Sequence, residues 1–217
     1  MSKRSALIVV DVQPDFMPGG PLACHEGDTI VPGINRLLEA RCFERVVATQ
    51  DWHPAGHASF ASQHSGAAPF DTASLHGVPH TLWPDHCVQG SRGAALAPAL
   101  ETDRIDLILR KGTHPAIDSY SAFQNNIGPD GTRTPTGLAG WLSDAGITHV
   151  YLCGLARDVC VLWSAEDSQN LGFETHVLWS LTRPVTPETD GATRTRLEAL
   201  GITLIEEDPT HARSAHE

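Results

Sequence analysis

The chain has 217 residues, 41% of them hydrophobic and 19% charged, the mix of an ordinary soluble globular protein rather than a disordered one. A chain of this length buries roughly 70% of its unfolded surface, so one core suffices without disulfide or metal staples. Fifteen Lys and Arg against 26 Asp and Glu give a net charge of −11, which argues against a nucleic acid or an anionic membrane surface as partner.

Residues 6–12 form a continuous apolar run rich in β-branched side chains, too short to span a membrane. This pattern predicts a strand buried on both faces, ending at Asp11. Pro14, Pro18, Gly19 and Gly20 then force a loop. Asp28 is expected to cap a helix whose inward face is Val31, Ile34, Leu37 and Leu38. Residues 45–49 are a second strand running out into Asp51. Residues 52–92 show little periodicity and many His, Pro, Gly and Ser, which predicts a long functional loop.

A third strand is predicted over 105–109, followed by Arg110-Lys111-Gly112. A helix starting near Thr136 and stopping at Gly146 carries Leu138, Trp141, Leu142 and Ala145 on one face. A fourth strand covers 149–153, and residues 159–171 read as a helix closed by Gly172. A fifth strand covers 175–178. A last helix opens at Thr186-Pro187, and a sixth strand covers 202–205. The expected fold is therefore one α/β domain over 1–217, with its core at about 5–206 and a frayed tail from 207. It is a doubly wound, mainly parallel six-stranded sheet with helices on both faces. In such sheets ligands bind beyond the carboxyl ends of the strands, where Asp11, Asp51, Lys111 and the turn after Cys153 should converge.

Five cysteines are an odd number with no CxxC pair, which disfavours a disulfide framework or zinc ribbon and fits a reducing, cytoplasmic setting. The strand-turn-helix at 152–161 places Cys160 in the first turn of a helix. There the helix dipole is expected to lower the thiol pKa, and unpaired N–H groups could hold an oxyanion. A small buried hydrophobe is the plain alternative. Asp11 and Lys111 are candidate proton-transfer partners for a thiol, or else an ordinary loop carboxylate and a surface charge. Twelve histidines are many. Asp51 and His53 lie two apart and so point to the same side of an extended chain, and a third ligand could come from the segment Trp83-Pro84-Asp85-His86-Cys87. One Asp with two or three His suits a divalent transition metal with open positions, although hydrogen bonding in a Pro-rich loop would use the same residues. His64, His76, His80 and His114 are assigned to such loop hydrogen bonds. Phe16, Trp83 and Tyr120 could stack on a flat ligand or simply anchor loops.

Six segments in order resemble the nicotinamidase (pyrazinamidase) family of the isochorismatase-like cysteine hydrolases, over about 6–205. They are Val10-Asp11-Val12-Gln13-Pro14-Asp15-Phe16 with Gly19-Gly20; Asp51-Trp52-His53-Pro54; Trp83-Pro84-Asp85-His86-Cys87-Val88; Arg110-Lys111-Gly112; Asp118-Ser119-Tyr120-Ser121-Ala122-Phe123; and Gly154-Leu155-Ala156-Arg157-Asp158-Val159-Cys160-Val161. The resemblance implies a triad of Asp11, Lys111 and Cys160, with backbone N–H groups of Ala156 and Cys160 as an oxyanion hole and a cis bond at Leu155-Ala156. It implies metal ligation by Asp51, His53 and His86, with His57 where some members supply a fourth ligand, and a pyridine pocket walled by Phe16, Trp83 and Tyr120. One divalent ion is implied, zinc ahead of iron or manganese. The implied reaction is hydrolysis of nicotinamide to nicotinate and ammonia through a cysteine thioester, a pyridine nucleotide salvage step that would extend to pyrazinamide. A cysteine hydrolase of another amide or a carbamoyl compound, and a non-catalytic metal- or pyridine-binding module, are the alternatives. A homo-oligomer is left open. Arg157 and Val159 depart from the usual pattern, and an arginine beside the pocket is expected to alter substrate range.

Overall fold

The computed structural model describes residues 4–207. Six strands form one parallel sheet: β1 (Ser5–Val10), β2 (Arg45–Asp51), β5 (Leu107–Lys111), β8 (His149–Leu155), β9 (Glu174–Arg183) and β10 (Thr203–Ile205). Their order across the sheet is β10-β9-β8-β1-β2-β5. The chain builds outward from β1 to β5, then returns to β1's other side and builds outward to β10. The direction of winding therefore reverses between β1 and β8, which leaves a crevice at their carboxyl ends where the loops part to opposite faces.

Burial on both faces follows from the pleat. Leu7 and Val9 of β1 pack with the apolar side of helix α1 (Val31–Glu39), whose Val31, Ile34, Leu37 and Leu38 are all buried. Ala6, Ile8 and Val10 face the other way. They join Leu138 and Leu142 of α2 (Leu138–Asp144), Leu162 and Ala165 of α3 (Leu162–Asn170), and Leu197 of α4 (Asp190–Ala199). One helix covers the first face and three cover the second.

All six expected strands are present, with several boundaries moved. Asp28 does not cap α1 through its side chain; it lies inside a single 3-10 turn, Gly27–Ile30, that leads directly into the helix. The expected helix from 159 begins instead as a wide π-helical turn, Arg157–Val161, which continues into α3. Residues 52–92 are not one structureless loop. They contain the hairpin of β3 (Thr72–Leu75) and β4 (Val78–Thr81), turned at His76 and Gly77, both with positive φ. A second unforeseen hairpin pairs β6 (Gln124–Ile127) with β7 (Arg133–Pro135). No helix among the described residues is long and apolar enough to cross a membrane. The expected frayed tail lies almost wholly outside the described residues.

Candidate active site

Asp51 and Lys111 are the last residues of β2 and β5 and are paired directly in the sheet register. Asp11 follows β1 and Ala156 follows β8, so the crevice between these two strands receives groups from both. Asp11 takes a left-handed backbone conformation, φ 45°, one that Asp tolerates better than most residues and that turns the chain off the end of the strand. Its Oδ1 accepts a hydrogen bond from the Thr49 hydroxyl at 2.6 Å, and the same hydroxyl accepts from its backbone N–H at 3.0 Å. Gln13 locks the loop after β1 to the end of β2: its Nε2 donates to the Asp51 carbonyl at 2.9 Å and its Oε1 accepts from the Asp51 N–H at 2.8 Å.

Lys111 is the hub. Its buried ammonium lies 2.8 Å from Asp11 Oδ2, 2.9 Å from Asp51 Oδ1, 2.9 Å from the Ser119 carbonyl and 3.4 Å from Cys160 Sγ. Burial opposes its charge, but the carboxylates of Asp11 and Asp51 hold its pKa well above the ordinary lysine value. Burial raises the Asp11 carboxyl above its ordinary range against the pull of Lys111. It also drives the Cys160 thiol well above the usual cysteine value; Lys111 opposes this rise, and the charges of Asp11 and Asp51 add to it. The sequence-based expectation of a dipole-lowered thiol is therefore overturned. Burial, with the charges of two nearby carboxyls, outweighs the helix terminus here. The Asp11 carboxyl, bonded to the same Lys111 ammonium as the thiol, stands where a base for Cys160 would have to be.

Beyond Lys111, Asp51 Oδ2 faces two imidazoles, 2.9 Å from His53 Nε2 and 3.2 Å from His86 Nε2. The outer nitrogen of each ring is committed elsewhere: His53 Nδ1 donates to the Gly112 carbonyl at 3.0 Å, and His86 Nδ1 donates to the Pro84 carbonyl at 2.8 Å. In the neutral rings both Nε2 atoms thus carry lone pairs aimed at one carboxylate oxygen. Such an arrangement demands positive charge in its midst, and backbone-anchored imidazoles beside a carboxylate are the usual way a protein holds a divalent metal. The three ligand atoms lie within 4.8 Å of one another, all on buried residues, so the residues present fit the ion. The His57 ring lies tilted against that of His53, centroids 4.3 Å apart, but its Nδ1 is hydrogen-bonded to the Ser59 hydroxyl at 2.8 Å. It groups with His53 and Asp118 rather than with Asp51 and His86.

Phe16, Trp83 and Tyr120 line one cavity together with Asp51, His86, Ala156 and Cys160. Trp83 Nε1 donates to the Tyr120 hydroxyl at 3.1 Å, and Phe16 meets His86 edge-on at 5.5 Å. Lys111, bonded to both Asp51 and Cys160, joins Asp11 to this cavity's lining, and His53 contacts the lining residue Asp51. Val159 is part of the wall, whereas Arg157 is not: its guanidinium turns away to Asp190, which removes the expected effect of that arginine on the pocket. The Leu155-Ala156 peptide is cis. Sequence reasoning missed the contact of His80 with Asp118, Nε2 to Oδ2 at 3.0 Å, which braces a carboxyl of the cavity wall. Of the histidines expected in loop hydrogen bonds, His64 and His76 do bond the carbonyls of Ala58 and Ala116.

Residues 5–208 match the isochorismatase domain. The nicotinamidase of Acinetobacter baylyi is 51% identical over 177 residues, covering 82% of this chain and 80% of that protein. The solved nicotinamidase pyrazinamidase of Acinetobacter baumanii superposes with a TM-score of 0.87 at 44% identity, covering 94% of this chain and 97% of the other. The pyrazinamidase of Pyrococcus horikoshii, solved in complex with zinc, superposes with a TM-score of 0.73 at 35% identity, covering 94% and 99%. The chain belongs to the isochorismatase-domain family, within its nicotinamidase and pyrazinamidase branch.

Proposed function

We propose that this chain hydrolyses nicotinamide to nicotinate and ammonia, and takes pyrazinamide by the same route. The observation that carries the reading is the meeting, in and around one cavity, of a thiol, a carboxyl, an ammonium, three candidate metal ligands and aromatic walls. Asp51, His53 and His86 would hold one divalent ion. The zinc in the Pyrococcus horikoshii pyrazinamidase supports zinc as that ion. When bound, the ion supplies a Lewis-acid anchor for a ring nitrogen. Phe16, Trp83 and Tyr120 would sandwich the ring and exclude water.

The chain's own residues account for the chemistry. Asp11 accepts the Cys160 proton as the sulfur attacks the carboxamide carbon, and Lys111 holds the carboxyl and thiolate in register through its bonds to both. The developing oxyanion is assigned to the N–H groups of Ala156 and Cys160, at the turn where β8 ends. Asp11 returns the proton to the departing ammonia, leaving a thioester. A water that gives its proton to Asp11 then cleaves it, and the proton finally returns to the sulfur as nicotinate leaves. Five cysteines, an odd number with no CxxC pair, support a reducing, cytoplasmic setting in which such a thiol persists.

The test is ammonia release from nicotinamide by reduced, zinc-replete protein beside Cys160→Ala. Release by the native protein with at least a thousand-fold loss in the variant is expected. Equal rates from the two would end the account.

A further inference from the structure

The nucleophile turn is held from outside by a group that touches no substrate. Arg157 opens the π-helical turn that carries Cys160 and is itself buried, 5% exposed. Its Nε donates to Thr182 Oγ1 at 2.8 Å, Nη1 to Asp190 Oδ2 at 2.7 Å, and Nη2 to the carbonyls of Thr182 at 2.7 Å and Trp179 at 3.1 Å. The guanidinium also lies 4.0 Å over the Trp179 ring. These acceptors are not arbitrary. Between β8 and β9 the register jumps from Leu152 opposite Val177 to Gly154 opposite Thr182, so the stretch around Trp179 is displaced from the ladder. The guanidinium supplies donors to carbonyls at both ends of that irregularity, in a planar fork that a lysine cannot copy. The next residue, Asp158, ties the same turn further along. Its carboxylate accepts from the N–H groups of Val185 and Thr186 at 2.9 and 3.0 Å and from the Thr189 hydroxyl at 3.0 Å. Val185 is a wall of the cavity.

A π-helical turn is rare and appears mostly as a single turn inside α-helices, often at functional sites; here Val161 N–H reaches back to the Ala156 carbonyl at 3.0 Å. We propose that Arg157 is a positioning residue for the hydrolytic reaction: by clamping the nucleophile turn to the irregular end of β9 and to α4, it fixes where Cys160 Sγ and the Ala156 N–H stand relative to Asp11 and Lys111. This rests on the reading of the cavity as the amide-hydrolysing site. The clamp acts on the reacting atoms rather than on ring binding, so its loss appears in kcat and not in KM.

The experiment compares Arg157→Lys with the native enzyme by steady-state kinetics, bound-metal content and the rate at which iodoacetamide alkylates the Cys160 peptide, followed by mass spectrometry. Expected is a fall in kcat of about 10- to 100-fold, the size that sub-ångström to ångström misplacement produces. KM should stay within about 3-fold, metal content should be unchanged, and alkylation should slow alongside kcat. Adding Thr182→Val to Arg157→Lys should cost little more, since both act through one clamp. Native kcat and native alkylation in Arg157→Lys would overturn the proposal. So would a kcat loss matched by lost metal or lost folded protein, which marks a merely structural residue. If Arg157→Lys does not fold, Thr182→Val alone, which removes one acceptor at near-constant volume, is judged by the same criteria. Alkylation needs no amide. A native enzyme inert to nicotinamide whose Cys160 reactivity still depends on Arg157 would therefore sink the functional reading and leave the clamp standing.

Discussion

At the scale of single residues, the site is an electrostatic compromise around Lys111. One buried cation serves two carboxylates and a thiol. Removing a partner from such a buried network leaves an uncompensated charge, which costs about 3–5 kcal/mol. Lys111→Met should therefore destabilise the fold by that order in urea melts as well as abolish turnover. The double variant with Asp11→Asn should recover part of the stability and none of the activity. The raised Asp11 carboxyl also sets a direction for pH dependence. A base must be ionised to act, so activity is lost as pH falls through its pKa. With that pKa above the ordinary 3.8, the acid limb of kcat/KM should lie above that value. An acid limb at or below 3.8 would remove Asp11 as the group that limits the rate. The motif residues at these positions were legible because each carries distinctive chemistry at a strand end. The thiol's pKa was not legible, since burial and the approach of Asp51 come from segments far away in sequence.

Individual elements were legible to the degree that they bury apolar side chains. Six runs of β-branched and aliphatic residues marked the six sheet strands, and the spacing of Val31, Ile34, Leu37 and Leu38 marked α1. The two hairpins passed unseen because Thr72–Leu75 and Gln124–Ile127 are short and only partly buried, so neither shows the alternation of a packed strand. His76-Gly77 was the signal that could have found the first, as a two-residue turn with both φ positive. Turn chemistry also supports the metal cluster. Gly112, φ +63°, follows Lys111, and a Cβ there would fall 2.5 Å from His53 Cε1 and 2.7 Å from its Nδ1. Gly112→Ala should displace that ring, giving at least a ten-fold drop in zinc affinity by chelator competition. Unchanged affinity would exclude His53 as a ligand. By contrast Ile34→Ala, buried on the opposite side of α1 from solvent, should cost about 2–5 kcal/mol in stability while leaving zinc affinity as it is.

For the whole molecule, the metal cluster joins parts that are distant along the chain. Asp51 ends a sheet strand, His53 follows it, and His86 comes after the β3–β4 hairpin. An ion held by all three stabilises only the folded chain, and a ligand at a thousand times its dissociation constant adds about 4 kcal/mol. Chelation should therefore lower Tm by several degrees as well as halt ammonia release, and zinc should restore both; an unchanged Tm after verified metal loss would place the ion elsewhere. The sequence by itself determined the α/β class, the six strands and the identity of the groups that carry chemistry. Hydrophobic periodicity and residue type are local properties, and they survive without knowledge of any contact. Only the tertiary structure decided the strand order that brings Asp11 and Cys160 to one crevice, the pairing of His80 with Asp118, the burial that raises the thiol's pKa and the turning of Arg157 away from the pocket. Each of these depends on which distant segments share a buried volume. Burial and charge act through space, and the order of residues along the chain does not report it.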